Sequence, residues 1–102
     1  MSRSYGDKFL LELNNADPKH PGVALAKACV KANLPAKFVA AAMGVTRISI
    51  YSWFRGKPLR EKNRMYAEAM TKIITDDMES GRLPAKNVAD AKHWARSVVG
   101  EE

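Results

Sequence analysis

Pro35-Ala36-Lys37-Phe38-Val39-Ala40-Ala41-Ala42-Met43-Gly44-Val45-Thr46-Arg47-Ile48-Ser49-Ile50-Tyr51-Ser52-Trp53-Phe54-Arg55-Gly56-Lys57 is the stretch on which the fold turns. Its first half predicts a short helix over 35–43, with Phe38, Val39, Ala42 and Met43 available for burial. Gly44 then supplies a turn that can reach positive φ. Thr46 stands where its hydroxyl can cap a second helix, over 46–55, which Gly56 ends. Ala40 is a small residue where the two helices would cross. Val39, Met43, Val45, Ile50 and Trp53 lie at offsets that lock the pair together. Trp53 and Phe54 read as core. The face left outward carries Arg47, Ile48, Tyr51, Ser52 and Arg55.

Outward from that pair, the apolar residues keep helical rather than alternating spacing. A helix over 5–14 would place Tyr5, Phe9, Leu10 and Leu13 on one side, and the Asn14-Asn15-Ala16-Asp17-Pro18 segment would break it. A second helix runs from about 18 or 21 to 33, with Leu25, Cys29 and Val30 inward. Proline is tolerated there because the first-turn N–H groups lack partners anyway. Beyond Lys57, Tyr66, Ala69, Met70, Ile73, Ile74 and Met78 mark a helix over 60–80, stopped by Gly81. Pro84 opens a last helix over 84–99, with Val88, Ala91, Ala95 and Val98 inward. The expectation is an all-α protein: a single domain over 1–102, a compact bundle of about five to six helices with no sheet.

A chain of 102 residues, 46% of them apolar, can bury one core but hardly two. No apolar stretch approaches the roughly 20 residues that span a bilayer. The polar start, from Met1 to Lys8, lacks the apolar centre of a signal peptide. A single cysteine, Cys29, cannot form an internal disulfide, so a cytoplasmic location is expected. The net charge is +6. Between positions 47 and 64, Arg47, Arg55, Lys57, Arg60, Lys62 and Arg64 face one acid, Glu61, so most of that charge is local. Such a basic stripe suits a polyanion, and a solvated loop carrying incidental lysines would look the same.

Signs of bond-making chemistry are lacking. His20 and His93 are far apart, without acids or cysteines at metal-ligand spacing, and read as surface or capping residues. Cys29 sits among alanines as a small buried hydrophobe. Asp76, Asp77 and Glu79 read as a solvated helix end, since nothing apolar or cationic nearby would separate their pKa values. No glycine-rich phosphate loop is present. The expectation is a non-enzyme with no catalytic residue, metal or cofactor.

The run from Gly44 to Lys57, with Thr46, Ser49, Ile50 and the closing Gly56-Lys57, resembles the helix-turn-helix of the Cro and lambdoid phage-repressor family. The resemblance covers about residues 25–57, a third of the chain. It differs in three respects. Ala36 and Lys37 stand where a glutamine commonly opens the first motif helix. Apolar Cys29 and Phe54 replace a buried Arg–Glu pair found in several members. The helices after Lys57 are longer.

The resemblance implies that the second helix enters the major groove of double-stranded DNA, its N-terminal half on base edges. Arg47, Ile48, Tyr51 and Ser52 are then the base readers: Arg47 as a bidentate partner for guanine, Ile48 against a thymine methyl. A bidentate contact contributes about 1–3 kcal/mol of discrimination. Lys37, Thr46, Arg55, Lys57 and Arg60 are the expected phosphate contacts, which position without specifying sequence. Tyr51 and Ile48 could equally pack on a neighbouring helix, and Arg47 could be a plain surface arginine.

So short a reading helix touches few base pairs, and the expected form is a homodimer on palindromic half-sites. The apolar stripes of 60–80 and 84–99 are the candidate dimer surface, or else pack back to complete the monomer core. The expected function is a transcriptional regulator, a repressor of phage or bacterial type. Two other readings stay open: a small DNA-recognition subunit of a phage packaging complex, and a protein-interaction factor that uses the fold without DNA.

Overall fold

Proline and glycine divide the described residues, 5–100 of the computed structural model, into six helices: α1 (Asp7–Asn14), α2 (Pro21–Lys31), α3 (Ala36–Met43), α4 (Arg47–Phe54), α5 (Glu61–Glu79) and α6 (Val88–Val98). No strand occurs among those residues, so the protein is all-α.

α2 is the hub, with α1, α4 and α5 packed on it, while α3 joins α4 to α6. Its composition explains this. Gly22, Val23, Leu25, Ala26 and Cys29 are all buried, so small and medium side chains line more than one face. Leu25, Ile50 and Phe54 are essentially inaccessible, and burying each stabilises the fold by about 1.5–3 kcal/mol. Gly22 permits the closest approach. A β-carbon there would lie 2.7 Å from the Trp53 carbonyl carbon and nearer still to its oxygen, so only glycine lets α4 cross at this spot.

α2 ends on Asn33 at φ 56, with the Leu34 N–H donating to the Cys29 carbonyl at 2.9 Å. This is the left-handed closure in which the residues past the helix satisfy its last carbonyls. Gly44 closes α3 in the same way at φ 71, and Val45 N–H reaches the Ala40 carbonyl at 3.0 Å. Thr46 Oγ1 then accepts from Ser49 N–H at 3.0 Å and caps α4. The expected crossing residues are inside: Val39, Ala40 and Ile50 are buried, Trp53 nearly so, and Met43 and Val45 pack against the core.

The structure corrects four expectations outside this pair. α1 begins at Asp7 rather than at Tyr5; the Tyr5 ring instead folds into the core, where its hydroxyl donates to the Leu34 carbonyl at 2.6 Å. The last helix begins at Val88, not Pro84. Ala85 is needed elsewhere, because its N–H donates to Ala32 O at 2.9 Å and its carbonyl accepts from Asn33 Nδ2 at 2.7 Å. Asn87 takes over as cap, accepting from Asp90 N–H at 2.8 Å. As a result Val88 is outward and 54% exposed, and the inward face is Ala91, Trp94 and Ala95.

The fourth correction concerns the α5 stripe. Tyr66, Ala69 and Ile73 are exposed, whereas Ala67, Met70 and Ile74 are buried. Residues i and i+1 lie 100° apart on a helix, and α2 covers only one of the two adjacent arcs. The buried faces of α5 and α6 therefore complete the core of one chain.

Candidate functional site

Most of the residues expected to touch a partner gather beside one face of α4. Arg47, Ile48, Tyr51, Ser52, Arg55 and Lys57 line one shallow groove of about 440 Å³. Arg47, Ile48, Tyr51, Ser52 and Arg55 recur at helical spacing, so one face of α4 holds them all. Ile48 is 84% exposed, a large apolar side chain outside the core cluster of the described residues. Arg47, Arg55 and Lys57 have no acidic partner among the described residues, so their charge is available to a ligand.

Tyr51 is half-buried. Its ring meets Phe9 edge-on at 6.2 Å and Phe54 at 6.0 Å, so it links α4 to α1 while its outer part lines the groove. The packing role expected of Tyr51 is thus the one its ring contacts carry. Thr46 is held in its cap: the hydroxyl accepts from Ser49 N–H and donates to Ser49 Oγ.

The groove's far end is fixed by a residue read from sequence only as a surface or capping histidine. His20 Nδ1 accepts from Gly22 N–H at 3.0 Å and from Val23 N–H at 3.4 Å. The hydrogen therefore sits on Nε2, which donates to the Lys57 carbonyl at 2.8 Å. Lys57 N–H is in turn bound to the Ser52 carbonyl at 3.3 Å. The Lys57 backbone is tied to α2 on one side and α4 on the other. The sequence signal was His20 directly before Pro21-Gly22, a ring nitrogen placed where a helix start needs an acceptor.

Three expected contacts lie outside the groove lining, Thr46 in its cap being one of them. Arg60 is the exposed residue at the start of α5. Lys37, on α3, borders a different cleft and lies 5.1 Å from the Phe38 ring. The basic run itself divides: Arg64 pairs with Glu61 and Glu68, which push its pKa further up, and Lys62 lies over Tyr66.

Asp77 differs from its expectation. It is not a solvated helix end, because Trp94 Nε1 donates to its Oδ2 at 2.7 Å and Arg82 approaches at 3.8 Å. It fastens the end of α5 to α6. Cys29 is fully buried, and desolvation pushes its thiol well above the usual range. Among the described residues no cluster of His, Cys, Asp or Glu could hold a metal ion, and no helix is long and apolar enough to cross a membrane. Comparison with known proteins finds no significant match to a family model, a curated protein or a solved structure.

Proposed function

We propose that this protein binds double-stranded DNA in a sequence-specific manner and acts as a transcriptional regulator of repressor type. The observation that carries the reading is the α4 face. Three cations with no acidic partner among the described residues, Arg47, Arg55 and Lys57, surround an outward Ile48 and a hydroxyl-bearing Ser52 and Tyr51 along one groove wall. Eight helical residues extend about 12 Å, and the major groove is about 12 Å wide. Arg47, Ile48, Tyr51 and Ser52 face base edges in this reading. Arg55 and Lys57 hold phosphates, Thr46 presents the capped helix start, and Arg60 and Lys37 reach the backbone on either side.

A homodimer accompanies the proposal, since one α4 reads few base pairs. The surface that supports it is the arc of α5 which the core leaves open: Met65, Tyr66, Ala69 and Ile73, all exposed on adjoining positions. A two-fold axis near Ala69 would set Met65 of one copy against Ile73 of the other, as an isologous contact requires.

The test is selection of bound sequences from a random duplex pool, followed by salt titration of the winner. A palindromic consensus is expected, with affinity falling steeply as salt rises because several counterions are released. Enrichment of no sequence, or a flat salt response, would sink the DNA reading. Ring-like higher oligomers with DNA affinity would turn it toward an assembly component.

A further inference from the structure

The second cleft of the molecule shares no residue with the α4 groove. It lies between α3 and α6 and has a volume of about 370 Å³. Its floor is apolar and made of small side chains. Ala41, Ala42 and Ala95 leave a trough where larger residues would fill the space, and Phe38 and Val99 extend it. Its rim is basic: Lys37 from α3, and Lys92 and Arg96 one turn apart on α6. Among the described residues no acid lines it, and none of the three cations is ion-paired.

We infer that this cleft is a docking site for an acidic amphipathic helix of a partner protein. Lys92, Ala95, Arg96 and Val99 stand at i, i+3, i+4 and i+7, a single face of α6. Lys37, Phe38, Ala41 and Ala42 stand at i, i+1, i+4 and i+5 on α3. Two such faces side by side form a trough about 10 Å long, the length of about two helical turns. A third helix laid in it buries its aliphatic stripe on the alanines and sets its flanking carboxylates against the rim cations, the usual helix-in-groove arrangement. Duplex DNA would use the cations but not the apolar floor, so nucleic acid is the poorer occupant. Lys92 and Arg96, to which the DNA reading gives no role, carry the rim by themselves, so the inference stands whether or not α4 reads DNA.

The experiment is a display selection of random 16-residue peptides on the intact protein, with excess nonspecific duplex present. Peptides with aliphatic residues at i and i+3 or i+4, flanked by Asp or Glu, are expected to be enriched. The Lys92→Glu/Arg96→Glu double substitution should weaken their binding by about tenfold or more, since two attractions become repulsions. Ala41→Trp, an exposed position that fills the trough without changing charge, should weaken them too while circular dichroism stays unchanged. The inference is overturned if no peptide is enriched, if the enriched peptides lack acids, or if either variant leaves their affinity intact. It is equally overturned if charge reversal lowers duplex affinity by the same factor as peptide affinity, because the rim would then serve nucleic acid.

Discussion

The Trp53 backbone passes so close to Gly22 that a β-carbon at position 22 would lie 2.9 Å from the Trp53 β-carbon and nearer to its carbonyl group. This contact sets the height of α4 above α2, and with it the groove lined by Arg47 and Lys57. Gly22→Ala should therefore destabilise the protein by about 1–3 kcal/mol, the range for overpacking a close-packed site. The clash is with backbone, which cannot swing aside. Chemical denaturation gives the check, and an unchanged midpoint would show that α4 does not approach α2 this closely.

The exposed α4 face separates reading from holding. Arg47→Ala should lower the preference for a cognate over a random duplex, whereas Lys57→Ala should weaken both alike. A bidentate arginine contact predicts a loss of about 1–3 kcal/mol of discrimination. Parallel titrations of the two variants against both duplexes decide the matter. Equal losses from the two changes would remove Arg47 from base reading.

The bond from Trp94 Nε1 to Asp77 Oδ2 joins α6 to the end of α5, and the Asp77 side chain is only 17% exposed. Trp94→Phe keeps an aromatic ring but strips the carboxylate of its donor. A hydrogen bond to a charged group contributes about 1.5–3 kcal/mol, and the thermal midpoint should fall accordingly. In an Asp77→Asn background the same substitution should cost less, because its acceptor is no longer charged. Identical losses in both backgrounds would mean that the bond does not hold the helices.

Burial raises the pKa of Cys29, and burial followed by the neighbouring Cys29 and Tyr51 raises that of Tyr5, above their ordinary values of 9.0 and 10.0. The folded chain keeps both protons where the unfolded chain loses them. Stability tied to these groups is thus present in full below their unfolded pKa values, and is lost as pH climbs toward the raised folded ones. Denaturation midpoints in reductant should be flat near neutrality in this respect and decline above about pH 9. The slope approaches about 1.4 kcal/mol per pH unit for each group. Cys29→Ala should delay the onset, and an undelayed onset would assign the decline to other residues.

Much of the local structure was legible in the sequence. Gly44 and Gly56 reach positive φ where the turns were expected, Thr46 caps α4, and Val39, Ala40, Ile50 and Trp53 are inside. These are short-range features: a turn needs a residue free of Cβ strain, a helix start needs an acceptor, and burial follows a period of 3.6. The outward set of Arg47, Ile48, Tyr51, Ser52 and Arg55 follows from the same period, and it does line one groove.

What lies beyond one helix was decided only by the tertiary structure. Pro84 failed to open α6 because Ala85 pairs with Ala32 and Asn33, more than fifty residues earlier. The α5 stripe divided because α2 is wide enough to cover Ala67, Met70 and Ile74 but not Tyr66 and Ile73. Lys37 went to the α3–α6 cleft, and Lys57 was fastened by His20. The sequence by itself determined that the chain is helical, and it determined the turn, cap and faces of α3 and α4, since those depend on neighbours a few positions away. Which faces meet, and which cations share a groove, depended on contacts between distant segments, and no local period encodes them.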